Sequence, residues 1–158
     1  MDKHRQDRVL GQIRRLSRLT HVIEKYQKSP HTYGTTDKLL MNEVHFISAV
    51  DDSGTEMGVI AERLAVTRGA VSQTAAKLEK KGYVTRERDP VDGRKSICHL
   101  TDAAKPIRNY HIRLDKRNYG VLFGIMEDFT ERDLDVCDRF LQSMEALYSM
   151  SIQLETDT

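Results

Sequence analysis

The stretch from Thr55 to Thr101 constrains the fold most, because two short helical patterns are followed directly by a strand–turn–strand pattern. Residues 58–64 have the apolar spacing of a short amphipathic helix. After a tight connection, Thr67 stands where a helix N-cap is expected, at the start of a second amphipathic helix over 68–80. Gly82 suits the left-handed conformation that ends many helices. The pattern predicts two helices joined by a short turn.

The second of these helices has two chemically different sides. Its apolar side, Val71, Ala75 and Leu78, recurs at spacings of four and three, as expected for a face turned to a core. The other side carries small, amide, hydroxyl and cationic residues: Arg68, Gly69, Ser72, Gln73, Ala76 and Lys77. Small residues permit close approach to a DNA groove, and polar residues can bind base edges and phosphates.

A β-hairpin is predicted immediately after this helix. Residues 83–88 favour a strand, 89–93 are rich in turn formers, and 95–100 return as a second strand. The turn ends in Arg94 and Lys95. Cations at the tip of such a hairpin can reach the minor groove beside the helix, where the negative potential attracts arginine.

The motifs Lys77-Leu-Glu-Lys-Lys-Gly-Tyr-Val84, Arg88-Asp-Pro-Val-Asp-Gly-Arg94 and Leu100-Thr101 together resemble the MarR family of winged-helix transcriptional regulators. The resemblance implies a mainly α fold with a β wing, and a homodimer built from the terminal helices. It divides the chain into a dimerisation helix and connection over 1–36, a winged helix-turn-helix core over 37–101, and C-terminal dimerisation helices over 102–158.

The flanking sequence is predicted to be helical. Apolar stripes indicate helices over about 3–28 and 37–50. Thr101-Asp102 is predicted to cap a long helix that reaches about residue 126, and the segment 130–133 resembles a capping box for the last helix. These terminal helices carry more apolar surface than a small winged domain can bury, which predicts a homodimer.

Charge is distributed unevenly along the chain. Residues 60–100 contain nine Lys/Arg and five Asp/Glu, whereas residues 127–158 contain two basic and nine acidic side chains. A local basic surface on a nearly neutral protein is typical of phosphate binding. The sequence therefore predicts double-stranded DNA as the partner of the winged core.

The expected function is that of a regulator, more specifically a repressor, that binds a pseudo-palindromic operator. We assign Arg68, Ser72 and Gln73 to base edges and nearby phosphates, and Thr67 and Lys77 to phosphates. Arg94 is assigned to the minor groove, with Asp92 orienting it and Lys95 close to the DNA backbone. The alternative is a winged-helix protein-interaction module without DNA binding, which would be expected to lack these cations.

Three side chains are candidate metal ligands: His45, His111 and Asp115. The last two are four residues apart and share one helix face, a spacing that suits two ligands of one ion. MarR-like regulators that sense zinc resemble the chain here, although an aspartate stands where a second histidine is more usual. The effector is therefore open between zinc and a small organic anion, and unrelated histidines are a third reading. No cofactor is expected to be required.

Several classes of protein are not expected. The sequence has no glycine-rich phosphate loop, no GxSxG motif and no HExxH motif, so we expect no enzyme. It contains no apolar run long enough to span a bilayer and no signal-peptide pattern, so we expect a cytoplasmic protein without membrane contact. Cys98 and Cys137 are both expected to be small core residues rather than redox sensors.

Overall fold

The computed structural model describes residues 2–156, with side chains through residue 153. Its elements are, in order, α1 (Lys3–Lys28), α2 (Met41–Ala49), β1 (Thr55–Glu56), α3 (Met57–Arg63), α4 (Arg68–Lys80), β2 (Val84–Arg88), β3 (Ser96–Leu100), α5 (Lys105–Ile125) and α6 (Glu131–Thr156). They form two compact units, one up to Asp115 and one from Lys116 onward. The boundary between the two ranges falls within α5. The predicted winged helix-turn-helix is confirmed in the first unit.

The helix α1 has the bounds that its apolar stripe predicts, whereas α2 begins later than predicted. The predicted start at Asp37 is wrong, and the helix begins at Met41. His31 and Leu39 pair through two backbone hydrogen bonds of 2.9 and 2.8 Å, which keeps the chain extended up to Leu40. The pairing of His31 with Leu39, eight positions apart, rather than the helix propensity of 37–40, therefore determines where α2 begins.

The core of the first unit lies between α2, α3, α4, the small sheet and the start of α5. Its fully buried side chains come from all of these elements: Val44, Phe46, Ile47, Ile60, Val71, Leu78, Val84, Cys98 and Ile107. The predicted inward residues of α4 are all among the buried ones. Burial of this apolar surface, at about 25 cal/mol per Å², is the main term that holds α4 against the other helices.

The sheet has three antiparallel strands in the order β1-β3-β2. The hairpin of β2 and β3 pairs Val84 with Leu100 and Arg88 with Ser96, as expected for a wing. The two-residue strand β1 was not predicted; it pairs Thr55 with Cys98 and so attaches the start of α3 to the base of the wing.

The helices that follow the wing begin at different kinds of signal. The predicted cap at Thr101-Asp102 is wrong, because the Thr101 hydroxyl donates to the Gly82 carbonyl oxygen at 2.7 Å and α5 begins only at Lys105. The predicted capping box before α6 is confirmed. The Asp133 carboxylate accepts from the Thr130 amide at 3.0 Å, and the Thr130 hydroxyl accepts from the Asp133 amide at 3.3 Å.

The terminal helices expose many large apolar side chains in this single chain. The most exposed large apolar side chains on α5 are Phe123 and Ile125, each with 69% of its surface accessible. None of the described residues of α1 is buried. Despite this apolar surface, no helix in the described part of the chain has the length and hydropathy needed to cross a bilayer.

Glu43 provides a test of how the start of α2 is held. Its side chain is almost fully buried, and its carboxylate accepts from the Leu40 amide at 2.8 Å and from Lys81 Nζ at 2.7 Å. Glu43→Ala should lower the free energy of unfolding by about 2 kcal/mol, because it removes two charge-assisted hydrogen bonds from a buried position. Urea denaturation measures this change.

The matched control is Glu62→Ala, which removes an exposed carboxylate from α3 and should alter stability by no more than about 0.5 kcal/mol. Glu43→Gln keeps an acceptor for the Leu40 amide and should lose less than Glu43→Ala. Equal stability of the wild type and Glu43→Ala would contradict this account of the connection.

Candidate nucleic-acid interface and histidine pair

The polar face of α4 is turned to solvent because the opposite face is buried in the core. The Thr67 hydroxyl accepts from the Ala70 amide at 3.2 Å, so the predicted N-cap is confirmed. Gly82 has φ +77°, as expected for a left-handed helix end. The α4 residues assigned to DNA, with the cap, are all exposed: Thr67, Arg68, Ser72, Gln73 and Lys77.

Side-chain to backbone hydrogen bonds shape the tip of the wing. The Asp89 carboxylate accepts from the amides of Val91 and Asp92 at 2.8 and 3.1 Å, and these bonds hold the pKa of Asp89 below its usual value. Asp92 accepts from the backbone amide of Arg94 at 3.1 Å. Asp92 thus holds the backbone from which Arg94 projects, rather than its guanidinium group.

A cleft of about 330 Å³ separates α4 from the wing. Four residues predicted to contact DNA line it together: Arg68, Ser72, Arg94 and Lys95. The other predicted residues, Thr67, Gln73, Lys77 and Asp92, lie outside its lining. Residues from the helix, the wing tip and the strand base therefore form one basic concave surface, the DNA cleft.

Two charged residues of the DNA cleft were missed by sequence reasoning, Glu56 and Arg86. Arg86 donates to the Glu79 carboxylate through Nη2 at 2.6 Å and Nε at 3.2 Å, which ties β2 to α4. The Glu56 carboxylate accepts from Lys95 Nζ at 2.8 Å. The basic character of 84–88 was a signal for Arg86. No signal pointed to Glu56, because β1 was not predicted.

The three candidate metal ligands lie close together in the first unit. The His45 and His111 rings are 5.2 Å apart between centroids, with an angle of 19° between their planes. His111 is 3% exposed, and its Nδ1 lies 3.2 Å from an Asp115 carboxylate oxygen, although the angle is not that of a hydrogen bond. The expected shared face of His111 and Asp115 is confirmed by this distance, whereas the assignment of the three side chains as metal ligands stays a prediction.

The pair of imidazoles fits a metal ion in part. The two ring centres are close enough for both rings to reach one zinc ion, whose bonds to imidazole nitrogen are about 2.0–2.1 Å long, although the stacked rings would have to turn to hold the ion in both ring planes. Burial, and then the neighbouring His111, lower the pKa of His45, although part of its ring is exposed. The neutral form that binds a metal is thereby favoured. The described residues nevertheless contain no group of three His, Cys, Asp or Glu side chains placed to hold an ion.

An aromatic cluster surrounds the buried His111. The Tyr33 ring lies 6.0 Å from the rings of both His111 and His31, in an edge-on arrangement with His31. Burial raises the pKa of Tyr33 to about 12, and its hydroxyl donates to the sulfur of Met41 at 3.6 Å. His31 Nε2 is buried and has no hydrogen-bond partner among the described residues. This cluster joins the connector before α2 to α5.

A second, smaller cavity of about 130 Å³ lies between α2 and α4. His45 and Phe46 of α2 line one side, and Val71 and Thr74 of α4 line the other. A molecule in this cavity would contact His45 and α4 at the same time.

The two cysteines differ in environment. Cys98 is fully buried as predicted, and burial raises the pKa of its thiol to about 12. Because the thiolate is the reactive form, this residue is chemically inert at neutral pH. Cys137 is exposed in the single chain, so its prediction as a core residue is wrong for this unit.

Comparisons with known proteins agree with this fold. Residues 39–95 match the sequence profile of the MarR family. The transcriptional regulator AdcR of Streptococcus pyogenes is 24% identical over 104 residues, which cover 66% of this chain and 71% of AdcR.

Two solved structures of ZitR from Lactococcus lactis share the fold. One, described as a zinc-responsive MarR family member, has a TM-score of 0.69 at 20% identity and covers 87% of this chain and 97% of its own. The other is ZitR in complex with DNA, with a TM-score of 0.68 at 18% identity and coverage of 86% and 97%.

Proposed function

We propose that the chain is a DNA-binding transcriptional regulator of the MarR family, and specifically a repressor. The observation that carries this proposal is the DNA cleft, where cations from α4 and from the wing converge. The regulator name of AdcR and the ZitR–DNA complex support it. Such a regulator acts where the chromosome lies, which places it in the cytoplasm.

The exposed face of α4 suits the major groove of B-DNA. Arg68, Ser72 and Gln73 project from its first two turns, the part of a recognition helix that contacts base edges. Thr67 and Lys77 lie at positions suited to the phosphates on either side. Arg94 projects from the ordered wing tip towards the adjacent minor groove, and Lys95 remains near the DNA backbone.

Arg94→Ala tests the wing contact. We expect the variant to bind the operator more weakly by about 1–3 kcal/mol, a factor of about 5 to 150, because one desolvated groove contact is lost. Fluorescence anisotropy with a duplex from the genomic sites bound by the protein measures the affinity. Circular dichroism verifies that the fold is unchanged.

Arg132→Ala is the matched control, since it removes the same charge from the acidic last helix and should leave DNA affinity unaltered. An operator affinity of Arg94→Ala equal to that of the wild type would reject the minor-groove assignment. If the intact chain binds no duplex at any salt concentration while retaining its fold, the protein-interaction alternative takes the place of DNA binding.

Operator binding requires two recognition helices, and we infer that the terminal helices supply the homodimer. Large apolar side chains are exposed on α1, on the second half of α5 and on α6, and include Val22, Ile23, Val121, Phe123, Ile125, Leu134, Leu147 and Ile152. Their combined surface is larger than a monomer usually leaves in water. The basic first 28 residues and the acidic last segment also attract each other weakly.

Truncation after Phe129 tests the dimer. The shortened chain should be monomeric and should bind the operator far more weakly, because α6 and its apolar surface are removed. Analytical ultracentrifugation of the intact and shortened chains measures the assembly. An intact chain that sediments as a monomer at micromolar concentration rules out the dimer.

A second candidate function is the response to zinc, which the separation of the two imidazoles favours. His45 and His111 would hold the ion, with Asp115 either as a third ligand or as the carboxylate that orients His111. The bound ion would crosslink α2 and α5. A small organic anion in the cavity beside His45 is the alternative effector, since that cavity also contacts α4.

Zinc, if it is the effector, should change operator affinity by a factor of about 5–150, the usual range of a coupling free energy between two sites. The double variant His45→Ala/His111→Ala should lose this response and keep the affinity of the metal-free protein. Anisotropy titrations with zinc and with a chelator measure both. His21→Ala, on exposed α1, is the control and should keep the response. Calorimetry that detects no zinc uptake at neutral pH would eliminate zinc.

A further inference from the structure

Glu56 places an acidic group inside the DNA cleft. It is the last residue of β1 and stands at the N-cap position of α3, yet its carboxylate makes no capping hydrogen bond to that helix. The β1–β3 register pairs Glu56 with Ile97, so its diagonal neighbour is Lys95, two residues before Ile97 and directly before the start of β3. Across this diagonal, the carboxylate accepts from Lys95 Nζ at 2.8 Å.

The carboxylate changes the charge available in the DNA cleft. Four cations line the cleft: Arg68, Arg86, Arg94 and Lys95. Two of them are already neutralised, Lys95 by Glu56 and Arg86 by Glu79. Among the described residues, Arg68 and Arg94 have no carboxylate within salt-bridge distance. Glu56 is the acidic side chain among the residues that line the cleft.

Gly58, which has no side chain, leaves room for the Glu56 carboxylate close to Arg68. A Cβ atom at Gly58 would lie 3.1 Å from the Glu56 carboxylate and 3.8 Å from the Arg68 guanidinium. The carboxylate therefore lies on the same small surface as the first recognition residue of α4, and not at the rim of the interface.

A DNA phosphate that entered the cleft would have to compete with the Glu56 carboxylate for Lys95, and would be repelled by it. Binding to an arbitrary sequence depends almost entirely on phosphate contacts, because no base contact fixes the register. In an operator complex, by contrast, base contacts from Arg68 and Ser72 hold one register, in which the phosphates between the two grooves can lie beside Arg68 and Arg94 and away from the Glu56 carboxylate. The Glu56 carboxylate therefore lowers the affinity of sequence-independent complexes more than that of the operator complex.

We propose that Glu56 is a specificity-determining residue of the DNA-binding face: it holds Lys95 and repels backbone phosphates that approach it in the DNA cleft, so that binding to arbitrary sequence, where no register keeps phosphates away from it, is weakened more than binding to the operator. This rests on the proposed DNA-binding function. The repulsion of a polyanion by the Glu56 carboxylate can also be measured without an operator.

The test compares Glu56→Gln with Glu87→Gln. Both substitutions remove one negative charge and preserve side-chain size. Glu87 also pairs with Ile97, but from β2 on the other side of β3, and its carboxylate contacts His99 outside the DNA cleft. Thermal unfolding of both full-length variants verifies that each is folded.

Anisotropy titrations use the operator duplex and a scrambled duplex of equal length and composition. Glu56→Gln should bind the scrambled duplex about tenfold more tightly and the operator no more than about threefold more tightly, so the specificity ratio falls. Glu87→Gln should leave the ratio unchanged within about twofold. Equal gains on both duplexes, or weaker binding of either by Glu56→Gln, would overturn the proposal.

Heparin chromatography provides the arm that does not depend on an operator. Glu56→Gln should elute at higher salt than both the wild type and Glu87→Gln, because only this variant opens the DNA cleft to a polyanion. Identical elution of the two variants overturns the proposal. If the wild type binds no duplex, the proposed function fails, and the heparin result still decides the role of Glu56.

Discussion

The burial of one side of α4 is the constraint on which the rest of the structure depends. Val71, Ala75 and Leu78 are almost completely removed from solvent by α2, α3 and the sheet, so α4 cannot rotate about its axis without exposing apolar surface. The opposite, polar face of α4 therefore points to solvent. The Thr67 cap and Gly82 determine where this face begins and ends, which gives Arg68 and Ser72 a fixed place beside the wing.

The wing is attached to α4 by polar contacts as well as by the core. Arg86 binds Glu79 of the helix, and the Thr101 hydroxyl at the end of β3 donates to the carbonyl oxygen of Gly82. These contacts keep the hairpin at one distance from the recognition helix. A cleft of constant width is what allows a single carboxylate, that of Glu56, to influence which parts of a duplex can enter.

The start of α2 and the connector before it are hydrogen-bonded to residues that follow the C-terminal end of α4. Glu43 binds Lys81, and the Tyr83 hydroxyl donates to Asp37 at 2.8 Å. His45 of the histidine pair lies on the same helix as Glu43, and its ring lies beside that of His111 on α5. A ligand that alters the spacing of His45 and His111 would therefore act on α2, which also packs against α4. An effector that prefers one of two spacings of His45 and His111 would therefore act on the recognition helix through α2.

The features that the sequence determined by itself are local ones. The bounds of α4 and the capping box at Thr130 depend on residues within about four positions of each other, so their chemistry can be read from the chain. Spacing on one helix also placed His111 beside Asp115. Only the tertiary structure decided where α2 begins and which groups enter the DNA cleft. Glu56 and Lys95 are 39 positions apart, and their contact exists because β1 pairs with β3. No local pattern encodes that pairing, since a two-residue strand has too few residues to show a period and is stabilised only by the strand beside it.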